Sequence, residues 1–272
     1  MTRLGTRGSA LAVAQSGLVA RSLEELGEEV ELVTIRASGD ERPGGAQPPG
    51  DPGDKARFVK ELEEALLAEE IDLAVHSAKD VPSALPEGLA IVGVPARADA
   101  RDALCGADAL SELPEGASVG TSSLRRRSQL LAGRPDLDVR ELRGNVDTRL
   151  RRLAAGDCRA LVLAAAGLER LGRSDDGVPL AAEEMVPAAG QGCLALEARA
   201  GDASSVEAAA ALTEPHALRR LLAERALVEA IDATCRTPVG AHAELEGERM
   251  RLSAFVGMPD GGHWIRDALD GD

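Results

Sequence analysis

Short apolar runs alternate with amphipathic segments along most of the chain, and this alternation limits the fold more than any other feature of the sequence. The runs at 30–35, 71–75, 89–94, 139–142 and 160–165 have the length and residue types of strands, and another ends near residue 120. Apolar residues repeat with helical spacing at 58–69, and Ser9 and Gly27 flank another helical segment as capping residues. We therefore predict an α/β architecture with mostly parallel strands.

The C-terminal part of the chain has a different pattern. Two helical stretches at 205–212 and 215–230 precede two strand-like runs at 241–246 and 250–256, with Gly247 in the turn between the runs. This order predicts a small α+β unit that is separate from the α/β part.

The chain is acidic but holds one arginine-rich segment. Its net charge is −15 and only 1 % of its residues are aromatic, which argues against nucleic acids and anionic membranes as partners. Of its 31 basic residues 28 are arginine, a bias that genomic base composition explains. Nine arginines stand against four acids between Val119 and Arg152. This placement indicates a small anionic ligand, because guanidinium groups match carboxylates and phosphates.

The cysteines indicate the compartment. Cys105, Cys158, Cys193 and Cys235 show neither metal-ligand spacing nor a disulfide framework. The sequence also has no signal-peptide core and no apolar run long enough to span a membrane. We therefore expect a cytoplasmic protein without a metal ion.

A polar motif follows the apolar run at 71–75. The segment V-H-S-A-K-D at 75–80 puts the hydroxyl of Ser77, the ammonium of Lys79 and the carboxylate of Asp80 at the carboxyl end of a predicted strand. Open α/β sheets bind their ligands at such ends. These groups suit an anion and a cationic intermediate, and the alternative is a strand-end turn with a surface ion pair.

Two further junctions between a strand and a helix combine hydroxyls with arginines. The segment G-T-S-S-L-R-R-R at 120–127 opens a helix with hydroxyls and free backbone N–H groups, which bind anions. The segment L-R-G-N-V-D-T-R at 142–149 has a turn glycine, a capping asparagine and two arginines. Ordinary helix caps with solvated arginines are the alternative.

Two loops leave alternatives open. Residues 39–54 hold five glycines and four prolines, so they form either a lid or a solvated connector. Cys235 lies in a turn beside Arg236 and before Pro238. A neighbouring guanidinium lowers the pKa of a thiol and makes it a nucleophile, although most lone cysteines are inert.

Together and in this order, the motifs resemble those of the porphobilinogen deaminase (hydroxymethylbilane synthase) family over nearly the whole chain. The resemblance includes T-R-G-S at 6–9, F-V-K-E-L-E at 58–63 and the three segments quoted above. It continues through A-G-L-E-R-L at 166–171, P-A-A-G-Q-G at 187–192 and C-R-T-P-V-G at 235–240.

The resemblance implies an enzyme of tetrapyrrole (heme) biosynthesis that condenses four porphobilinogen molecules into hydroxymethylbilane and releases ammonia. The growing polypyrrole chain would be attached to a dipyrromethane cofactor, itself held by a thioether to Cys235. Asp80 matches the catalytic carboxylate, so Asp80→Asn is expected to keep the cofactor and lose most turnover. The residues implied to bind cofactor or substrate are Arg7, Ser9, Lys55, Phe58, Ser77, Lys79, Thr121, Ser122, Ser123, Arg125, Arg126, Arg143, Gly144, Arg149, Arg170 and Gln191.

The resemblance also implies two periplasmic-binding-protein-like lobes with the active site in the cleft between them, and a small α+β C-terminal domain. It divides the chain into domain 1 at 1–96 and 189–212, domain 2 at 97–188 and domain 3 at 213–272, and it implies a monomer. The family continues with a helix over the domain 3 sheet, so we expect domain 3 to be truncated and to expose apolar area. Two alternatives stay open: a two-lobed binding protein for a polycarboxylate ligand, and an inactive truncated relative.

Overall fold

The computed structural model describes residues 1–35, 54–82, 84–234 and 237–271, and for residues 54–58 it describes the backbone only. The helices of this part are α1 Ala10–Glu25, α2 Asp54–Leu67, α3 Leu124–Gly133, α4 Val146–Ala154, α5 Ala165–Arg170, α6 Ala203–Ala211 and α7 Pro215–Ala230. The strands are β1 Thr2–Arg7, β2 Val30–Ile35, β3 Leu73–Ser77, β4 Leu89–Gly93, β5 Asp102–Cys105, β6 Ser118–Gly120, β7 Asp138–Arg140, β8 Ala160–Ala164, β9 Val178–Pro179, β10 Leu194–Arg199, β11 Val239–Glu246, β12 Arg249–Gly257 and β13 Trp264–Gly271. None of the described helices combines the length and apolarity needed to cross a bilayer.

The chain divides into two compact units. Unit 1 comprises Met1–Ala98 and Cys193–Arg219, and unit 2 comprises Asp99–Gly192 and Arg220–Asp272. The finer division into three domains, with residues 213–272 as a domain of their own, stays a prediction.

Unit 1 is built on a five-stranded sheet with the order β2-β1-β3-β10-β4. The neighbouring pairs β1–β2 and β1–β3 are parallel, whereas β10 runs antiparallel to β3 and to β4. Helix α1 begins where Ser9 Oγ accepts a hydrogen bond from the N–H of Ala12, and the chain leaves the helix through Gly27 at φ 92°. Both predicted caps are therefore confirmed.

Unit 2 contains a second five-stranded sheet with the order β7-β6-β8-β5-β9. Here β6 is parallel to β7 and β8, and β5 is the antiparallel strand. Both sheets thus have the same topology. If the antiparallel strand is left out of the count, the strand order in each sheet is second, first, third, fourth along the chain. The antiparallel strand, β10 or β5, lies between the third and the fourth. The predicted α/β class with two lobes and mostly parallel strands is confirmed.

The remaining strands form an antiparallel sheet with the order β11-β12-β13 in unit 2. The predicted hairpin is confirmed, and Gly247 adopts φ 63° in its turn. Phe255 is buried and stacks on Trp264 with ring centroids 6.2 Å apart. With α7 this sheet forms the predicted small α+β part. The assignment of the helix at 205–212 to the same part was wrong, because α6 packs against β4 and β10 of unit 1. On β13, Ile265 and Leu269 are each 70 % exposed.

A buried carboxylate on α7 joins two segments of unit 2. Glu224 is fully buried, and its Oε2 accepts a hydrogen bond of 2.7 Å from the N–H of Gly190. Its Oε1 accepts one of 2.8 Å from the N–H of Ala243 on β11. Glu224 therefore connects the C-terminal sheet to the segment before residue 192.

Glu224→Ala is expected to lower the free energy of unfolding by about 2–4 kcal/mol, because it leaves two buried N–H groups without an acceptor. Urea denaturation of the full chain measures the loss. Glu229→Ala, an exposed change on the same helix, is the matched control and should be neutral. Equal stability of the two variants would contradict the connecting role of Glu224.

Candidate functional site

In unit 1 the predicted site residues gather at one edge of the first sheet. Strands β1 and β3 are adjacent and parallel, with Leu4 opposite Leu73, so their carboxyl ends meet at the same edge. Arg7 ends β1 and Ser77 ends β3, and a single 3-10 turn over Ala78–Asp80 follows β3. The fold therefore brings Arg7 and Ser9 to the same edge as Ser77, Lys79 and Asp80.

Neighbouring groups hold this strand end in place. Gln15 Nε2 donates a hydrogen bond of 2.9 Å to Ser77 Oγ, and the N–H of Ala78 donates one of 3.1 Å to the carbonyl of Cys193. Gln15 is buried on α1. The sequence analysis did not single it out, because a glutamine on a helix gives no local signal of its partner.

Several predicted site residues lie outside the described part of the structure. These are Cys235, the loop at 39–53, and the side chains of Lys55 and Phe58. For Lys55 and Phe58 the backbone lies in α2.

In unit 2 three parallel strands end at one edge of the second sheet, each shortly before a helix. Strand β6 leads to α3, β7 to α4 and β8 to α5. Asn145 Oδ1 accepts a hydrogen bond from the N–H of Thr148, so the predicted cap is confirmed. Ser123 Oγ accepts one from the N–H of Arg126 and caps α3, as the alternative interpretation of residues 120–127 expected. Gly144, at φ 119°, makes the turn before α4. Thr121 is buried at the end of β6.

Arg149 lies at this edge without an acidic partner among the described residues. Its Nε donates a hydrogen bond of 2.7 Å to the carbonyl of Gly144, and its second terminal nitrogen donates one of 3.1 Å to Ser122 Oγ. Burial, together with the charge of Arg126, lowers the pKa of Arg149 to about 10. A half-buried guanidinium that meets only neutral oxygens favours an anion nearby.

Asp102 organises the two arginines at the start of α3. It is fully buried on β5, and its carboxylate pairs with Arg125 at 2.6 Å and with Arg126 at 2.7 Å. The same guanidiniums also donate to the carbonyls of Val186 and Val162. Burial by itself would raise the pKa of Asp102, but the charges of Arg125 and Arg126 outweigh it and hold that pKa well below its ordinary value.

The other predicted residues of unit 2 differ in their partners. Gln191 Nε2 donates to Asp102 Oδ1 at 3.0 Å and to the carbonyl of Ala100 at 2.7 Å, so Gln191 joins the buried group. Arg170 donates a hydrogen bond of 2.7 Å to the carbonyl of Gly192. Arg143 is exposed and pairs with Glu141 at 2.8 Å.

The charges around Asp102 do not balance. Among the described residues Asp102 is the carboxylate that faces Arg125 and Arg126, while Arg149 adds a third guanidinium, so the group carries two excess positive charges. Buried charge without a counter-ion is costly, and a ligand with carboxylates would neutralise it. The residues present therefore fit an anionic group, while no cluster of three or more metal-ligating side chains exists within the described ranges.

Three of the four cysteines are buried. Cys105, Cys158 and Cys193 are all shielded from solvent. Burial raises the pKa of Cys105 to about 12 and raises that of Cys158. Since the thiolate is the reactive form, these two side chains are poor nucleophiles.

Asp102→Asn is expected to lower the free energy of unfolding at neutral pH by about 3–5 kcal/mol, because it leaves two buried guanidiniums without a counter-ion. Since folding depresses the pKa of Asp102 below its ordinary value of 3.8, the stabilisation is complete above that pH and is lost as the pH falls further. The free energies of unfolding of the parent and of Asp102→Asn should therefore approach each other at low pH. Chemical denaturation of the two proteins over a series of pH values measures this difference.

The matched control for this prediction is Asp99→Asn, which breaks a partly exposed pair with Arg101 and should cost less than about 1 kcal/mol. A deficit of Asp102→Asn no larger than that of the control would show that Asp102 does not organise the arginines.

Comparisons with known proteins agree over almost the whole chain. The family model described as "Porphobilinogen deaminase, dipyromethane cofactor binding domain" matches residues 2–207, and "Porphobilinogen deaminase, C-terminal domain" matches residues 218–269. A porphobilinogen deaminase of Rubrobacter xylanophilus is 50 % identical over 260 residues, which cover 95 % of this chain and 85 % of that protein. One from Thermus thermophilus is 49 % identical over 277 residues, which cover 99 % and 89 %.

Similar solved structures include a periplasmic substrate-binding protein of an ABC transporter from Coxiella burnetii, with 16 % identity, a TM-score of 0.48 and coverage of 80 % of this chain and 94 % of that one. A methionine-binding protein, MetQ, has 18 % identity, a TM-score of 0.46 and coverage of 80 % and 92 %. The two family models and the identity to these relatives over nearly the full length mean that the chain belongs to the porphobilinogen deaminase family.

Proposed function

We propose that this chain is a porphobilinogen deaminase, a transferase that joins four porphobilinogen molecules head to tail into hydroxymethylbilane. Membership of the family supports the activity. The observation that carries the proposal is the excess of guanidinium charge around Asp102, Arg125, Arg126 and Arg149. Each pyrrole of the substrate brings an acetate and a propionate, so the growing chain is a polyanion that this charge would neutralise.

The arginines and hydroxyls of unit 2 act in binding. Arg149 offers a guanidinium that is already held by Ser122 and Gly144, so little side-chain entropy is lost when a carboxylate binds. Asp102 fixes Arg125 and Arg126 in the same way. The other predicted binding residues, in both units, are proposed to contact cofactor or substrate in the roles that the family resemblance implies.

The dipyrromethane cofactor binds to this family domain and, when bound, supplies the pyrrole to which substrate units are joined. We propose Cys235 as the point of attachment. The burial of Cys105, Cys158 and Cys193 supports this choice, because it leaves them unsuited to a covalent bond with a large polar group.

Asp80 is the proposed catalytic residue. Each condensation breaks the aminomethyl C–N bond of one substrate, releases the nitrogen as ammonia and forms a C–C bond to the neighbouring pyrrole, whose ring carbon then loses a proton. Positive charge develops on both pyrroles during this step. A carboxylate beside their N–H groups stabilises that charge in the transition state more than in the ground state.

Other roles are less well supported. A binding protein without turnover would need the arginines but neither Asp80 nor Cys235, and an inactive relative would release no ammonia. We further propose that the enzyme is monomeric, as the family resemblance implies, and cytoplasmic, because the spacing of its cysteines shows no disulfide framework.

The first test is intact-protein mass spectrometry combined with an ammonia assay. The parent protein is expected to carry an adduct with the mass of dipyrromethane and to release ammonia from porphobilinogen. Cys235→Ala should lose both, whereas Cys158→Ala, the matched control at a buried thiol, should keep both. An unmodified parent that releases no ammonia would leave the binding protein or the inactive relative.

The second test compares two arginines of α4. Arg149→Gln is expected to raise KM for porphobilinogen about tenfold or more, because a charge-assisted hydrogen bond to a carboxylate contributes about 1.5–3 kcal/mol. Arg151→Gln removes an exposed guanidinium whose hydrogen bond goes to Thr148 Oγ1, and it should change KM less than about twofold. Steady-state kinetics distinguishes them, and equal KM values would remove Arg149 from the binding residues.

A further inference from the structure

A second group of ionisable side chains lies inside unit 1. Glu63, His76 and Glu197 are 8 %, 5 % and 0 % exposed, and His76 Nε2 lies 2.9 Å from Glu197 Oε2. We call these three residues the acid–histidine cluster. Neither the sequence motifs nor the proposed reaction gives any of them a role.

The cluster lies between α2 and the first sheet. His76 on β3 and Glu197 on the adjacent β10 share a face of the sheet with Ala74, which packs against Leu62 of α2. Glu63 follows Leu62 on α2 and is also buried. The opposite face of the sheet is covered by α1 and α6.

Burial changes the proton affinity of Glu63. Burial, and then the negative charge of Glu197, raises the pKa of Glu63, while the charge of His76 acts in the opposite direction. Glu63 therefore takes up a proton more readily than an exposed glutamate.

The cluster is a costly arrangement. In the described part of the chain, His76 Nε2, both carboxylate oxygens of Glu197 and Glu63 Oε1 are buried without a well-aligned hydrogen bond. An apolar layer at the same place would avoid this cost. Stability alone therefore does not account for the cluster.

The cluster connects the elements that carry the proposed site residues of unit 1. His76 directly precedes Ser77, and Asp80 ends the turn that follows. On the other side, α2 begins at Asp54 and includes Lys55 in its first turn. Since α2 packs on β3, the cluster lies between the two elements that carry Lys55 and Ser77.

We propose that the acid–histidine cluster positions the end of β3: the His76–Glu197 pair, with Glu63 packed on it, fixes β3 between α2 and β10 and so fixes Asp80. The inference rests on the catalytic role proposed for Asp80. All three are positioning residues, because they act through the strand end and not on the substrate.

The test compares Glu197→Gln, His76→Gln and the double variant with the parent holoenzyme by steady-state kinetics at one fixed pH. Each single variant is expected to lower kcat on the order of tenfold, with KM and the cofactor mass unchanged, because positioning and not binding is lost. The double variant should lose no more than Glu197→Gln alone, since both changes remove the same pair.

Glu64→Gln is the matched control, because Glu64 lies next to Glu63 on α2 but is exposed and pairs with Lys60. Its kcat should equal that of the parent. A raised KM at unchanged kcat overturns the positioning role, and so does a double variant that loses the product of the single losses. Urea midpoints identify any variant that is merely unfolded.

A parent that releases no ammonia overturns instead the proposed function. A fully active Asp80→Asn overturns the role of Asp80 on which the inference rests.

Discussion

The pairing of one buried carboxylate with two guanidiniums is the interaction on which unit 2 depends. Asp102 on β5 holds Arg125 and Arg126 of α3, and Gln191 donates to the same carboxylate. An inserted strand, a helix and the segment before residue 192 therefore meet at a single charge. Because the pairing leaves positive charge in excess, the interaction that organises the lobe also prepares it for an anion.

The sheets of the two units have the same topology. In each, one antiparallel strand is inserted between the third and fourth parallel strands, as β10 in unit 1 and β5 in unit 2. The parallel strands end at one edge, where the chain turns into a helix and exposes backbone N–H groups and capping side chains. The polar motifs of the sequence stand at these edges because the sheet interior has no room for them.

The two units bury ionisable groups of different kinds. In unit 2 the described guanidiniums around Asp102 exceed the carboxylates, which suits the acetates and propionates of a pyrrole chain. In unit 1 the acid–histidine cluster holds two carboxyl groups and one imidazole behind the strand that leads to Asp80. The excess of guanidinium charge and the proposed catalytic carboxylate thus belong to different parts of the chain.

The sequence by itself determined whatever depends on neighbours along the chain. Strand 30–35, helix 215–230 and the caps Ser9, Ser123 and Asn145 follow from periodicity and capping, which act within a few residues. Strands β1, β10 and β13 were missed because polar residues interrupt their apolar patterns, and β5 and β9 were missed because they are only four and two residues long. Only the tertiary structure decided that Asp102 meets Arg125, or that Glu197 meets His76. These partners lie 23 and 121 positions apart, and only sheet topology brings such residues into contact.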